Sequence, residues 1–147
     1  MKTIEFTAFG TPKGQPRPRS FAKKIGAKWM ARVYDSSTAE GWKNQVAMAA
    51  QPHLPPTPLE SPVNVRLAFR FARPKGHLTK HGSIKGSAPL YHVQKPDADN
   101  AAKAVLDALT ILGIWKDDCQ IVSLKTTKEW VAAGQAGVQV VISEFCE

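Results

Sequence analysis

Hydrophobic and polar positions alternate with period two near the start of the chain. Ile4, Phe6 and Ala8 stand against Thr3, Glu5 and Thr7, which predicts a half-buried strand over 3–9. Gly10 and Pro12 end it, and three prolines and a glycine punctuate TPKGQPRPRS, residues 11–20, too densely for regular structure. Residues 38–50 place Trp42, Val46 and Ala49 on one stripe of a helix, with Asp35, Ser36 and Ser37 as N-cap candidates. The proline-rich stretch 51–62 reads as a connector. Val63, Val65, Leu67, Phe69 and Phe71 then alternate with Asn64, Arg66, Ala68 and Arg70, a second half-buried strand. Residues 74–90 show no period and are expected to form a long flexible loop. Ala104, Val105, Ala108, Leu109 and Leu112 give a helix over 101–112, capped by Asp99 or Asn100 and stopped by Gly113. Strands are predicted over 119–130 and 138–143, joined by a turn at 134–137. There is no internal repeat and no composition break, so 1–147 reads as a single domain.

Composition adds a class to this pattern. With 43% hydrophobic and 22% charged residues, the chain can bury a core and is not of the disordered type. No run of about 18 apolar residues suggests a membrane span. The first ten residues lack the apolar region of a secretory signal. Two cysteines, Cys119 and Cys146, are too few for a disulfide framework, and a cytoplasmic location is expected.

Charge changes the picture more. Twenty Lys and Arg against twelve Asp and Glu give a formal charge of +8, which points to a polyanionic partner, nucleic acid first. Residues 12–32 hold Lys13, Arg17, Arg19, Lys23, Lys24, Lys28 and Arg32 and no acid, and 61–96 are again basic without an acid. Asp97, Asp99, Asp107, Asp117 and Asp118 then crowd into residues 97–118. Carboxylates that merely faced phosphate would repel it. A divalent cation held by them inverts the local sign. Two residues apart in an extended segment, Asp97 and Asp99 would point the same way, and a strand–helix–strand path could return Asp118 beside them. Three oxygen ligands suit Mg²⁺. Lys103, four residues past Asp99, could stabilise charge developing on phosphate. Plainer readings stand beside these. Asp99 could be only a cap, Asp117–Asp118 a solvated turn, and Lys103–Asp107 an ordinary i,i+4 pair.

The run KPDADNAAKAVLDAL followed by GIWKDDCQI resembles the signature of RusA-type Holliday junction resolvases. GTPKGQPRPR and YDSSTAEGWKNQVAMAA fit the same layout, so the resemblance covers nearly the whole chain. It implies a small α+β domain with a mixed sheet and about two main helices, acting as a homodimer. It also implies Mg²⁺-dependent paired cutting of four-way DNA junctions, with Mn²⁺ as a substitute and no organic cofactor or membrane partner. By the resemblance, Asp97, Asp99 and Asp118 fall on metal-holding catalytic carboxylates and Lys103 on an essential lysine. Asn100, Asp107 and Asp117 fall on motif positions without a clear role, a possible secondary site, and Lys128 on a recurrent strand lysine. Ala98, Ala101 and Cys119 depart from the pattern at packing positions.

The remaining features divide the chain into a basic proline-rich loop (10–32), a flexible basic loop (74–92) and a catalytic segment (95–122). Lys13, Arg17, Arg19, Lys24, Lys28, Arg32, Lys95 and Lys128 are DNA-contact candidates. Trp42, Trp115 and Trp130 are expected in the core or a dimer face, whereas Trp29 among its lysines could stack on a base. His77, His81 and His92 are expected to be solvated or DNA-facing, and Cys119 to be a small packed residue. Paired nicking by a C2 dimer matches a two-fold junction. A general branched-DNA or flap nuclease, a non-catalytic junction-binding protein and an RNA-binding module are the alternatives.

Overall fold

A computed structural model describes residues 3–15, 19–25, 28–34 and 39–145. Strand β1 (Thr3–Phe9) leads into a hairpin of β2 (Arg19–Ile25) and β3 (Lys28–Tyr34). Helix α1 (Glu40–Ala50), strand β4 (Val63–Ala72), helix α2 (Ala98–Leu112), strand β5 (Ile121–Val131) and strand β6 (Gly137–Glu144) follow. The main sheet has the order β1-β6-β4-β5, in which β4 and β5 run parallel and the other neighbours antiparallel. The parallel pair is what a β4–α2–β5 crossover produces. The fold is therefore a small single α+β domain with a mixed sheet and two helices.

The alternation read from the sequence decides which sheet face is covered. Ile4 and Phe6 from β1, Val65, Leu67 and Phe69 from β4, and Val138, Val140 and Ile142 from β6 are buried on one side. Trp42, Val46 and Ala50 of α1, with Ala101, Val105, Ala108 and Leu109 of α2, complete that core. Each fully buried aliphatic side chain contributes roughly 1.5–3 kcal/mol. Gly113 ends α2 at φ 91°, and its N–H reaches the carbonyls of Leu109 and Thr110. Trp115 is buried in the return segment and donates its indole N–H to Thr110 Oγ1 at 2.8 Å. Gly137 opens β6 where a Cβ would stand 2.0 Å from the Ala8 carbonyl oxygen, so β1 can approach only a glycine there.

Three expectations change. The basic segment 10–32 contains a hairpin, in which Arg19 pairs with Tyr34 and Lys24 with Trp29. Phe21, Ile25, Trp29, Val33 and Tyr34 were the strand signal, and the lysines between them masked it. The loop 74–92 carries its own hydrogen bonds. Leu78 bridges Ile84, Thr79 N–H reaches Ser83 O at 2.7 Å, and Arg73 Nη1 donates to Pro89 O at 2.7 Å. Helix α2 starts three residues before the expected 101, with Asp97 in the N-cap position. Arg17, the cap candidates Asp35, Ser36 and Ser37, and Cys146 lie outside the described residues.

Candidate active site

The first turn of α2 collects the chemistry. Asp97 sits at the N-cap with extended backbone, and its carboxylate makes no capping hydrogen bond. An aspartate there normally accepts an N–H of the first turn. This one is exposed and does not cap its helix. Asp99 lies in the first helical turn, not in an extended segment, and is exposed, as is Lys103 one turn on. Among the described residues neither Asp97, Asp99 nor Lys103 enters an ion pair. The positive end of the helix dipole favours negative charge at this position.

Lys128 fixes where the turn begins. It projects from β5 on the helix-covered side and donates to Gln94 O and Pro96 O, both at 2.6 Å. Burial depresses its pKa, and the nearby Asp97 carboxylate works against that shift. Lys128, expected to face DNA, thus spends its ammonium on the backbone just ahead of Asp97. His92 N–H donates to Lys128 O and Trp130 N–H to Leu90 O, so residues 90–92 line the outer side of β5. His92 itself is buried, with its ring 3.7 Å from Phe71 and 4.5 Å from Trp130. It is neither solvated nor DNA-facing. Burial, and secondarily the Lys128 charge, lowers its pKa.

From the other side, Gln15 N–H donates to Asn100 O at 3.1 Å. A Cβ on Gly14 would lie 2.5 Å from Asn100 Nδ2 and 3.2 Å from Pro96 Cβ. The arm therefore docks on α2 through a glycine, which brings exposed Lys13 to the edge of the site. Gln15 Oε1 is buried without a hydrogen-bond partner among the described residues. Sequence reasoning missed Gly14 and Gln15, because two polar loop residues carry no periodic signal. Lys95 is exposed beside the turn. Arg19, Lys24, Lys28 and Arg32 have places in the β2–β3 hairpin, as does Trp29.

The other acids have different employment. Asp107 accepts from Lys43 Nζ of α1 at 2.5 Å, and Lys43 is buried, so Asp107 joins the two helices and does not pair with Lys103. Asp117 accepts from Cys119 N–H at 2.9 Å while its own N–H donates to Gln120 Oε1 at 2.9 Å. The Cys119 N–H first, then the Cys119 and Asp118 side chains, hold the Asp117 carboxyl below its ordinary pKa. The Cys119 thiol, exposed and not packed, bonds to Asp117, and its pKa is raised. That is the wrong direction for a nucleophile.

Asp118 does not join the first pair within one chain. It opens a 3₁₀ turn (Asp118–Gln120) in which Gln120 Nε2 donates to Leu59 O at 2.8 Å and Ser61 O at 3.1 Å, at the entrance to β4. Asp97 lies at the opposite end of α2, whose 15 residues extend ~22 Å at about 1.5 Å each. Among the described residues no three His, Cys, Asp or Glu side chains stand close enough to hold a metal ion. The donor chemistry is right for a hard cation, but one chain brings only two of the three expected carboxylates to the α2 N-terminus.

Comparison with known proteins gives this constellation a context. The family model for endodeoxyribonuclease RusA matches residues 10–143. An uncharacterised protein of Bacillus subtilis (strain 168), YqaN, is 34% identical over 148 residues, covering 98% of each chain. The RusA family cleaves DNA endonucleolytically at Holliday junctions, in recombination and repair, and nucleases of this kind typically use a divalent metal. No helix of the described residues is long and apolar enough to cross a membrane. With the match running from the docked arm through both acidic turns to the last strand, the chain belongs to the RusA endodeoxyribonuclease family.

Proposed function

We propose that the protein is a Mg²⁺-dependent resolvase that cuts four-way DNA junctions by paired symmetric nicks, and that its working form is a homodimer with two shared sites. The observation that carries this is the set of unspent charges on the first turn of α2. Asp97 occupies a capping position without capping, and Asp99 and Lys103 have no ion-pair partner among the described residues. A bound Mg²⁺ supplies Lewis acidity and a water of lowered pKa. Asp97 and Asp99 would hold that cation on one chain. Lys103 would stabilise negative charge developing on the phosphate. Lys128 is a positioning residue that fixes the backbone carrying Asp97.

The separation of Asp118 supports the shared site. A carboxylate beyond the far end of a helix ~22 Å long cannot coordinate an ion at the α2 N-terminus, but a two-fold related copy running antiparallel can bring its own Asp118 there. Strand β5 is a sheet edge, and Val122 and Leu124 on it are 62% and 46% exposed. A second copy meeting that edge would cover them. Asp107 and Asp117 take no part in cation binding on this reading, since each is already bonded within the fold.

The test is a synthetic four-way junction with each strand end-labelled in turn, incubated with Mg²⁺, with EDTA, and with Asp97→Asn. Paired, symmetric, Mg²⁺-dependent nicks that vanish in the variant are expected. Junction binding without cutting in any divalent metal would refute the enzymatic reading. Equal cutting of flaps and three-way junctions would replace it with a general branched-DNA nuclease.

A further inference from the structure

Both helices pack on one face of the sheet, and the opposite face carries mainly polar and charged side chains, with no helix over it among the described residues. A trough of about 390 Å³ there is lined by Leu67, Ala68, Thr127, Gln139 and Val141, by the basic Arg66 and Lys125, and by one acid, Glu5. The charges on this face are not evenly satisfied. Arg70 pairs with Glu129 at 3.6 Å and donates to Gln139 Oε1 at 2.9 Å. Gln139 in turn donates Nε2 to Glu5 at 2.8 Å. That chain of contacts pairs Glu129 with Arg70 and holds Glu5 through a neutral amide, so at the trough two cations face one acid. Arg66 and Lys125 are left directly opposite each other across β4 and β5, both exposed, and neither has an ion-pair partner among the described residues.

Like charges in register across a strand pair repel and destabilise the sheet. A lone lysine on an edge strand serves to discourage unwanted pairing. An arginine one strand further in, aligned with that lysine at the same trough, is not accounted for that way. A guanidinium fork beside an ammonium, with a threonine hydroxyl close by, matches a phosphodiester oxyanion.

We propose that the open face of the sheet is a second nucleic-acid surface, which binds backbone phosphates of a junction arm through Arg66 and Lys125. The proposal rests on the nuclease reading for its ligand. Alternation along β5 sends Lys128 and Trp130 to the helix side and Lys125 and Thr127 to the open side, so the surface and the acidic turn of α2 lie on opposite sides of the sheet. One straight duplex does not follow both. Diverging arms of a branched molecule do. The surface therefore contributes more to junctions than to linear DNA.

The experiment is fluorescence anisotropy on an immobile four-way junction and on a linear duplex of one arm, in EDTA and across a salt series. Wild type is compared with Arg66→Gln/Lys125→Gln. The junction slope of log K against log salt should flatten by about 1.8 for each engaged chain, two contacts at about 0.9 each, with a smaller change on duplex. An unchanged slope overturns the proposal. Acetylation of Lys125 in the wild-type protein provides a measurement that no folding defect can confound. Junction DNA should slow it severalfold, and an unaltered rate again overturns the proposal. If wild type binds junctions but never cuts them, a flattened slope still supports this surface while the enzymatic reading fails. If wild type does not bind junctions, both fail.

Discussion

Mixing two inactive chains, one with Asp97→Asn and one with Asp118→Asn, asks whether the carboxylates act on the same chain. Two elements of fixed rise lie between them. Helix α2 covers 15 residues, ~22 Å at about 1.5 Å per residue. Along β5, the seven steps from Ile121 to Lys128, whose ammonium holds the Pro96 carbonyl, amount to ~23 Å at about 3.3 Å per residue. Cation–oxygen distances for Mg²⁺ are about 2.0–2.1 Å, so no choice of rotamers lets one chain close the site. Each homodimeric variant should then bind junction and cut nothing. Co-refolded at equal amounts, half of the dimers are mixed. Each mixed dimer pairs one intact Asp97 with one intact Asp118, which leaves on the order of a quarter of the wild-type sites. The product should change as well, from paired cuts to single nicks, read on a denaturing gel with each strand labelled. A site completed within one chain gives no rescue at any ratio. Failure of rescue, with mixed dimers demonstrated by mass spectrometry, would refute the shared site.

Other variants separate positioning from packing. Lys128→Met removes two ammonium hydrogen bonds and should lower stability on the order of 1.5 kcal/mol by urea unfolding. It should reduce kcat more than junction affinity, because it releases the backbone before Asp97 without removing a ligand. Asp107→Ala leaves Lys43 buried without its partner. Discounted for the partial exposure of Asp107, the loss should be about 1–2 kcal/mol, with metal dependence of cutting unchanged. Gly14→Ala forces a methyl against Asn100 and should abolish hydrogen-exchange protection of the Gln15 amide. Because the folded-state pKa of His92 lies below its ordinary 6.5, the unfolded chain takes up the proton more readily. Stability should therefore be complete above about pH 6.5 and fall as pH drops through the lowered folded value. A His92→Phe variant whose Tm shows the same acid-side loss would contradict this.

Much of the architecture was legible because its signals are local. Period-two alternation defined β1 and β4, helical spacing with Gly113 defined α2, and glycines bracketed the turn before β6. The basic hairpin was not legible, since strand pairing there competes with a lysine pattern that reads equally well as a solvated arm. Asp97, Asp99 and Lys103 could be singled out from order along the chain, because neighbouring positions on one helix turn stay neighbours in space. Other assignments depended on packing between elements distant in sequence. Lys43 crossing from α1 to Asp107, His92 stacking on Phe71, Lys128 gripping the carbonyls ahead of Asp97 and Gly14 seating the arm on Asn100 each join residues that no periodicity connects. The sharpest case is Asp118. Sequence alone established its type and its spacing from Asp99. A helix between them is already predicted over 101–112, but only the tertiary structure decided that Asp118 stays at its far end, because Gln120 of the same turn is hydrogen-bonded to Leu59 and Ser61 at the entrance to β4 and the helix has a fixed rise.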